Sequence, residues 1–210
     1  MRPGKMISTV LMVCLLTGLP AWADDLPDLT QSAAWCEFNG PDPAVVVNFP
    51  NGEGRRFDEA RISGGVVNGT IHLMLLDGMG APIDDYPRED IWLESVDGGA
   101  VSCIQGSLAD ANTDVNGETS WVNPLMAGGY SEANTHVIIN GSPLVSPGLN
   151  VHFNSPDINA DGVVNLTDVT MFSQDIFGWT YQFRSDFHYD GIINLSDLSI
   201  LGEGFGASCP

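Results

Sequence analysis

Two stretches of this chain set oxygen-bearing side chains at places 1, 5, 9 and 12 of a twelve-residue frame, with Asn at place 3 of the first and His at place 3 of the second. The first reads Asp157-Ile158-Asn159-Ala160-Asp161-Gly162-Val163-Val164-Asn165-Leu166-Thr167-Asp168, and the second, 29 residues on, reads Asp186-Phe187-His188-Tyr189-Asp190-Gly191-Ile192-Ile193-Asn194-Leu195-Ser196-Asp197. Carboxylates and carboxamides at that spacing suit a hard divalent cation, calcium above all. A twelve-residue loop can surround it with side-chain oxygens from places 1, 3, 5 and 12, a main-chain carbonyl from place 7 and a further contact at place 9. In the first loop these are Asp157, Asn159, Asp161, Asp168, the carbonyl of Val163, and Asn165. In the second they are Asp186, His188, Asp190, Asp197, the carbonyl of Ile192, and Asn194. Gly162 and Gly191 stand at place 6, where the chain must turn sharply and a side chain would obstruct. Imidazole is a poor calcium ligand, so His188 predicts a weaker second site. No other His or Cys accompanies it at metal spacing, which disfavours a transition metal.

Each loop runs into a helical pattern that would hold it. Val169, Phe172 and Ile176 share one face of the first helix, and Leu198 and Leu201 one face of the second. Thr167 and Ser196 can cap the helix starts, and Gly178 and Gly202 suit the ends. Val164 and Ile193, both at place 8, are expected to join the two loops in a short ladder.

The duplicated loop and helix over residues 156 to 206 resembles a type I dockerin. That resemblance implies a small α-helical module over residues 154–206, two bound calcium ions and a cohesin-like or other surface-protein partner. It also implies that Leu166-Thr167 and Leu195-Ser196, just ahead of each final loop Asp, face that partner.

The rest of the chain is punctuated by Asn-Gly and Asp-Gly pairs between short apolar runs, which is an all-β pattern. Strands are expected at Val45 to Phe49, Gly69 to Leu76, Asp90 to Val96, Ala100 to Gln105, Thr119 to Asn123, His136 to Ile139 and Leu149 to Phe153. Seven short strands spaced in this way predict an immunoglobulin-like β-sandwich over residues 44–153, after a polar lead-in at 24–43. The turns Asp77-Gly78-Met79-Gly80-Ala81-Pro82-Ile83 and Thr113-Asp114-Val115-Asn116-Gly117-Glu118-Thr119 resemble those of bacterial immunoglobulin-like surface domains. The fold class expected is therefore mainly β, a sandwich followed by the small helical module and a tail at 207–210.

Residues 1–23 carry Arg2 and Lys5, an apolar run and Ala21-Trp22-Ala23, the order of a cleaved secretory signal peptide. The expectation is an exported protein, extracellular or in the cell envelope, without membrane insertion after cleavage. The formal net charge is −20, and Arg55-Arg56 is the one basic pair, so nucleic acid is not expected as a partner. Of the cysteines beyond that leader, Cys36 and Cys103 are the expected disulfide, closing a long loop worth roughly 4 kcal/mol. Cys209 is then a free thiol, an intermolecular one, or the true partner of either.

No serine-hydrolase, zinc-protease or phosphate-loop motif occurs, and Asp84-Asp85 with Glu89-Asp90 reads as an acidic loop, so a catalytic role is not expected. Trp35, Trp92, Trp121 and Trp179 are of the kind that stacks on sugar rings, though such residues equally build cores. Polysaccharide binding, as part of a polysaccharide-degrading system, is therefore one alternative function. A structural or adhesive surface protein, associating through Cys209 or sheet edges, is another.

Overall fold

The structure is a computed structural model that describes residues 26–144 and 148–210; the expected leader at 1–23 lies outside the described residues. Within them the strands run β1 (Ala33–Cys36), β2 (Ala44–Val47), β3 (Ala60–Ile62), β4 (Gly65–Val67), β5 (Ile71–Met74), β6 (Ile91–Ser95), β7 (Ala100–Ser102), β8 (Glu118–Trp121), β9 (Ala127–Gly129), β10 (Thr135–Ile139), β11 (Ser142–Pro143) and β12 (Val151–Asn154). Two helices follow, α1 (Leu166–Ile176) and α2 (Leu195–Gly204). The protein is mainly β. No helix among the described residues is long and apolar enough to cross a membrane.

The strands form four short sheets, ordered β1-β5-β8, β11-β10-β6, β12-β2-β3-β4 and β7-β9. Pairing is antiparallel except between β12 and β2, where Val151 lies beside Ala44 and Asn154 beside Val47 in parallel register. Period-two alternation turns Ile71 and Leu73 of β5, Ile91 and Leu93 of β6, and Val137 and Ile139 of β10 into one shared core. Trp121 of β8 is fully buried there, its indole N–H donating to Ser107 O at 3.1 Å. Tight turns come from side chains accepting the chain's own amides: Asp114 Oδ1 takes Asn116 N at 2.8 Å and Glu118 N at 2.9 Å.

β2 is buried along its whole length because it serves two cores. Ala44 and Val46 face the β core, whereas Val47 and, just beyond the strand, Phe49 face a second core with Ile158, Val164, Phe172, Phe187, Ile200, Leu201 and Ala207. The helical unit therefore lies on the outer face of the β12-β2-β3-β4 sheet. Arg55 pairs with Glu203 across this junction, and Arg61 Nη1 lies 3.4 Å from His188 Nε2.

Several expectations are corrected. Residues 33–36, inside the expected lead-in, form β1, paired with β5 from Ala33 beside Met74 to Cys36 beside Ile71. The disulfide joins Cys103 to Cys209, with Cα atoms 5.6 Å apart, and among the described residues Cys36 is the free cysteine. Cys36 is fixed in β1 beside Ile71, whereas Cys103 follows β7 in another sheet, its amide bonded to Met126 O at 2.8 Å. A disulfide needs Cα atoms within about 7 Å, and it is the C-terminal tail that comes within that reach of Cys103. Residues 207–210 are accordingly no free tail.

Candidate metal centre

The two loops share their backbone turns. At place 4, Ala160 and Tyr189 have φ of 57° and 53°, and at place 6, Gly162 and Gly191 have φ of 83° and 84°. A left-handed turn at place 4 costs a non-glycine residue roughly 1 kcal/mol or more, so its recurrence in both loops marks a constraint on loop shape. Places 9 and 12 also build the helices. Asn165 is the N-cap of α1, its side chain accepting Thr167 N at 2.8 Å, while Asp168 reaches back to accept Asn165 N at 2.8 Å. Asn194 and Asp197 repeat this capping box at α2, with Ser196 N at 2.8 Å and Asn194 N at 2.9 Å. Asparagine at place 9, and not Thr167 or Ser196, thus caps each helix. Gly178 follows α1 as expected, but Gly202 lies inside α2.

Burial divides each loop in two. The carboxylates at places 1 and 12, namely Asp157, Asp168, Asp186 and Asp197, have no exposed surface, while Asn159, Asp161 and Asp190 are exposed. Asp157 accepts Asp161 N at 3.1 Å and Gly162 N at 2.9 Å, and Asp168 accepts Asn159 N at 3.3 Å. Asp186 accepts Asp190 N at 3.2 Å and Gly191 N at 2.8 Å, and Asp197 accepts His188 N at 2.7 Å. Among the described residues no Lys, Arg or His forms an ion pair with any of the four. Burial pushes the Asp157 carboxyl above its ordinary 3.8, against the Gly162 and Asp161 amides and with the Asp168 and Asp161 charges. Burial likewise raises Asp197, with Asp186 and Asp190 adding to the effect. Taking a carboxylate out of water without a counter-charge is costly, and each loop does so twice.

Among the described residues no three His, Cys, Asp or Glu side chains are gathered as a ready-made metal cluster. The loop carboxylates are turned onto loop amides, and Asp161 takes Val163 N at 3.0 Å and Asn159 Nδ2 at 2.9 Å. The donor set nonetheless suits a hard cation: two buried carboxylates per loop lacking a positive partner, flanked by further oxygens. Asp157, Asn159, Asp161, Val163, Asn165 and Asp168 are the residues that could hold one ion, and Asp186, Asp190, Ile192, Asn194 and Asp197 the other.

The second loop departs from the first in two contacts. His188 at place 3 is turned to Arg61 of β3, and the Tyr181 hydroxyl donates to Asp186 Oδ2 at 2.9 Å. Both engage groups at places 3 and 1 of the loop.

The β sheets hold each loop by the main chain of its first residue. Gly129 N donates to Asp157 O at 2.7 Å, and Asn154 Nδ2 donates to Phe183 O at 2.8 Å and Asp186 O at 3.3 Å. Gly128 packs so closely on the Asp157 carboxylate that a Cβ there would overlap it. Sequence reading missed Gly128, Gly129 and Asn154, although the Gly-Gly pair at a would-be strand was a signal of close approach. The expected ladder between Val164 and Ile193 is absent too. Val164 N donates to Ala207 O and Gly206 N to Val164 O, each at 2.9 Å, so the tail takes that place.

The expected partner residues stay at the surface: Leu166 is 71% and Leu195 75% exposed, beside exposed Thr167 and Ser196. Phe177 and Trp179, on the link from α1 to the second loop, are also exposed.

Fold and loops together define a mainly β protein carrying a duplicated acidic loop and helix docked on one sheet. No protein-family model and no curated protein matches it. Among solved structures it is similar to the Lin-41 filamin domain at 14% identity, over 60% of this chain and 95% of that one, with a TM-score of 0.30.

Proposed function

We propose that this is an exported, non-catalytic calcium-binding protein of dockerin type, whose two loops each take one calcium ion. The β part is read as an immunoglobulin-like sandwich that carries them. The observation that supports this reading best is the burial of Asp157, Asp168, Asp186 and Asp197 with no positive partner among the described residues. A hard cation supplies the missing counter-charge, and its binding then contributes directly to folding. His188 and the Tyr181 hydroxyl make the second site the weaker one. Leu166, Thr167, Leu195 and Ser196 offer an apolar and hydroxyl-bearing surface to a cohesin-like or other surface protein.

Because the helical unit shares a core with β2, the test uses the whole chain after the leader. Calcium titrated calorimetrically after chelator treatment is expected to show two binding events of unequal affinity. Absence of binding at millimolar calcium would falsify the reading. A second reading, polysaccharide binding, is favoured by exposed Trp179 and Phe177 and half-exposed Tyr181 on the same short link. Retention on insoluble polysaccharide that Trp179→Ala abolishes would support it.

A further inference from the structure

After α2 the chain does not run off into solvent but crosses back to the first loop. Beside the two Val164 bonds, Cys209 N donates to Gly162 O at 2.9 Å, and Val163 faces Ser208 in an antiparallel bridge. Ala207 is buried in the second core. The loop's sharp turn lies close under the disulfide, since a Cβ on Gly162 would stand 3.2 Å from Cys209 Sγ. Cys209 is in turn bonded to Cys103, 106 residues earlier and itself buried in the β part. The strap from Gly206 to Cys209 is thus held at one end by α2 and at the other by a covalent bond, and between them it touches Gly162, Val163 and Val164. The second loop has no strap: no bridge among the described residues involves Ile193.

We infer that the Cys103–Cys209 bond is a redox-set brace on the first loop, which takes its cation tightly only while the bond is intact. The inference rests on the calcium reading above. When the bond is whole, the tail presents the Ala207 carbonyl and the Gly206 and Cys209 amides to the loop and keeps Gly162 and Val164 in the closed turn. A dithiol reductant opens it by exchange. One reductant thiolate attacks a sulfur of the bond and displaces the other cysteine as thiolate, and the second reductant thiol then resolves the mixed disulfide. Two electrons and two protons pass to the chain, Cys103 and Cys209 become thiols, and the reductant leaves as a disulfide. Without its covalent hold the segment from Gly206 to Cys209 is free to part from the loop, and the first loop loses its brace while the second keeps all its contacts. Linkage makes the effect reciprocal, so calcium in the first loop shifts the thiol–disulfide equilibrium of Cys103 and Cys209 toward the intact bond.

The experiment uses the whole chain after the leader with Cys36→Ser, so that the remaining thiol cannot exchange. The first site is read calorimetrically with calcium alone in an Asp186→Asn background, and the second in an Asp157→Asn background. Cys209→Ser, Cys103→Ser and reduction by dithiothreitol are each expected to weaken the first site about tenfold and leave the second within about twofold of its oxidised value. Hydrogen exchange supplies a readout without metal: the Val164 and Cys209 amides are expected to lose protection on reduction, while those of α2 keep theirs. Equal first-site affinity with and without the bond overturns the inference, as does equal loss at both sites. Unchanged protection of Val164 overturns it as well. An oxidised chain that binds no calcium refutes the calcium reading and the metal half of the inference, and the exchange data then decide the brace by itself.

Discussion

Replacing Asp157 by Asn removes a buried charge while keeping the shape of the side chain. Asp157 has no exposed surface, and its oxygens accept Asp161 N at 3.1 Å and Gly162 N at 2.9 Å. Asn keeps one accepting oxygen and turns an amide N–H against the other donor, a loss of roughly 1–1.5 kcal/mol. Removing negative charge near Asp168 and Asp161 offsets part of that loss, since burial and those charges already disfavour the ionised form. Calcium-free stability is therefore expected to change by less than about 1 kcal/mol, which is under roughly 4 °C in Tm for a chain of this size. Calcium at a hundred times its Kd adds about 2.7 kcal/mol for each occupied site, or about 5–10 °C. On the proposed calcium reading, wild type is expected to gain from both sites and the Asp157→Asn variant only from the second. Thermal unfolding followed by circular dichroism, in chelator and in calcium, measures both increments. The reasoning is refuted if the variant keeps the full calcium increment, or if calcium leaves the wild-type Tm where it was.

Phe49→Ala takes an aromatic ring out of the core shared by the β part and the helices and is expected to cost about 3–4 kcal/mol. Denaturant unfolding should remain a single transition with a lower midpoint; a helical unit that melts separately at its old midpoint would contradict the shared core. Asp175→Asn removes the charge facing Arg184 and leaves one oxygen for what are now two 2.8 Å bonds from Arg184 and one from the Ser185 hydroxyl, costing about 2 kcal/mol near neutral pH, given that Arg184 is partly exposed. Burial pushes the Asp175 carboxyl up, but Arg184 and Ser185 outweigh it and hold it below its ordinary 3.8. A depressed folded value contributes above the unfolded one and is lost as pH falls through the folded one. Wild type and variant should thus converge in urea midpoint as the pH drops below 3.8, and a constant gap would count against the ion pair. His188→Asp supplies a carboxylate at place 3, with Arg61 still beside it, and is expected to raise second-site calcium affinity about tenfold. Calorimetry showing no gain would mean that His188 does not set the difference between the loops.

The strands with strong period-two patterns were legible in the sequence. β2, β5, β6, β7, β8, β10 and β12 all fall within or within a residue of the expected runs, and in β5, β6 and β10 the signal is the alternation of Ile71, Leu73, Ile91, Leu93, Val137 and Ile139. β1, β3, β4 and β9 were not, and each has a physical reason. Ala33-Ala34-Trp35-Cys36 has no alternation to see, β3 and β4 are three residues each, and Ala127-Gly128-Gly129 is a strand by close backbone approach and not by side-chain pattern. In the loops, residue types and spacing announced the repeat, and each helix begins directly after the Asn at place 9. What the spacing could not convey was three-dimensional. That Asn165 and Asn194 cap the helices, that His188 turns to Arg61, and that Val164 pairs with Ala207 all depend on how the helical unit folds and lies against the β12-β2-β3-β4 sheet. The disulfide was misjudged for the same reason: separation along the chain says nothing of which cysteine the tail brings near Cys103.

The two-faced burial of β2 has a consequence for the order in which the chain leaves the ribosome. β2 is made early, yet its parallel neighbour β12 comes about a hundred residues later, and the cover over Val47 and Phe49 is complete only when Leu201 and Ala207 have been made. Until then a growing chain carries an open strand edge beside an uncovered apolar stripe, the combination that invites sheet-to-sheet sticking. The C-terminal unit therefore acts as the closing plate of the β part. Cut short ahead of that unit, a chain leaves Val47 and Phe49 without that cover and is expected to aggregate more readily than the full one.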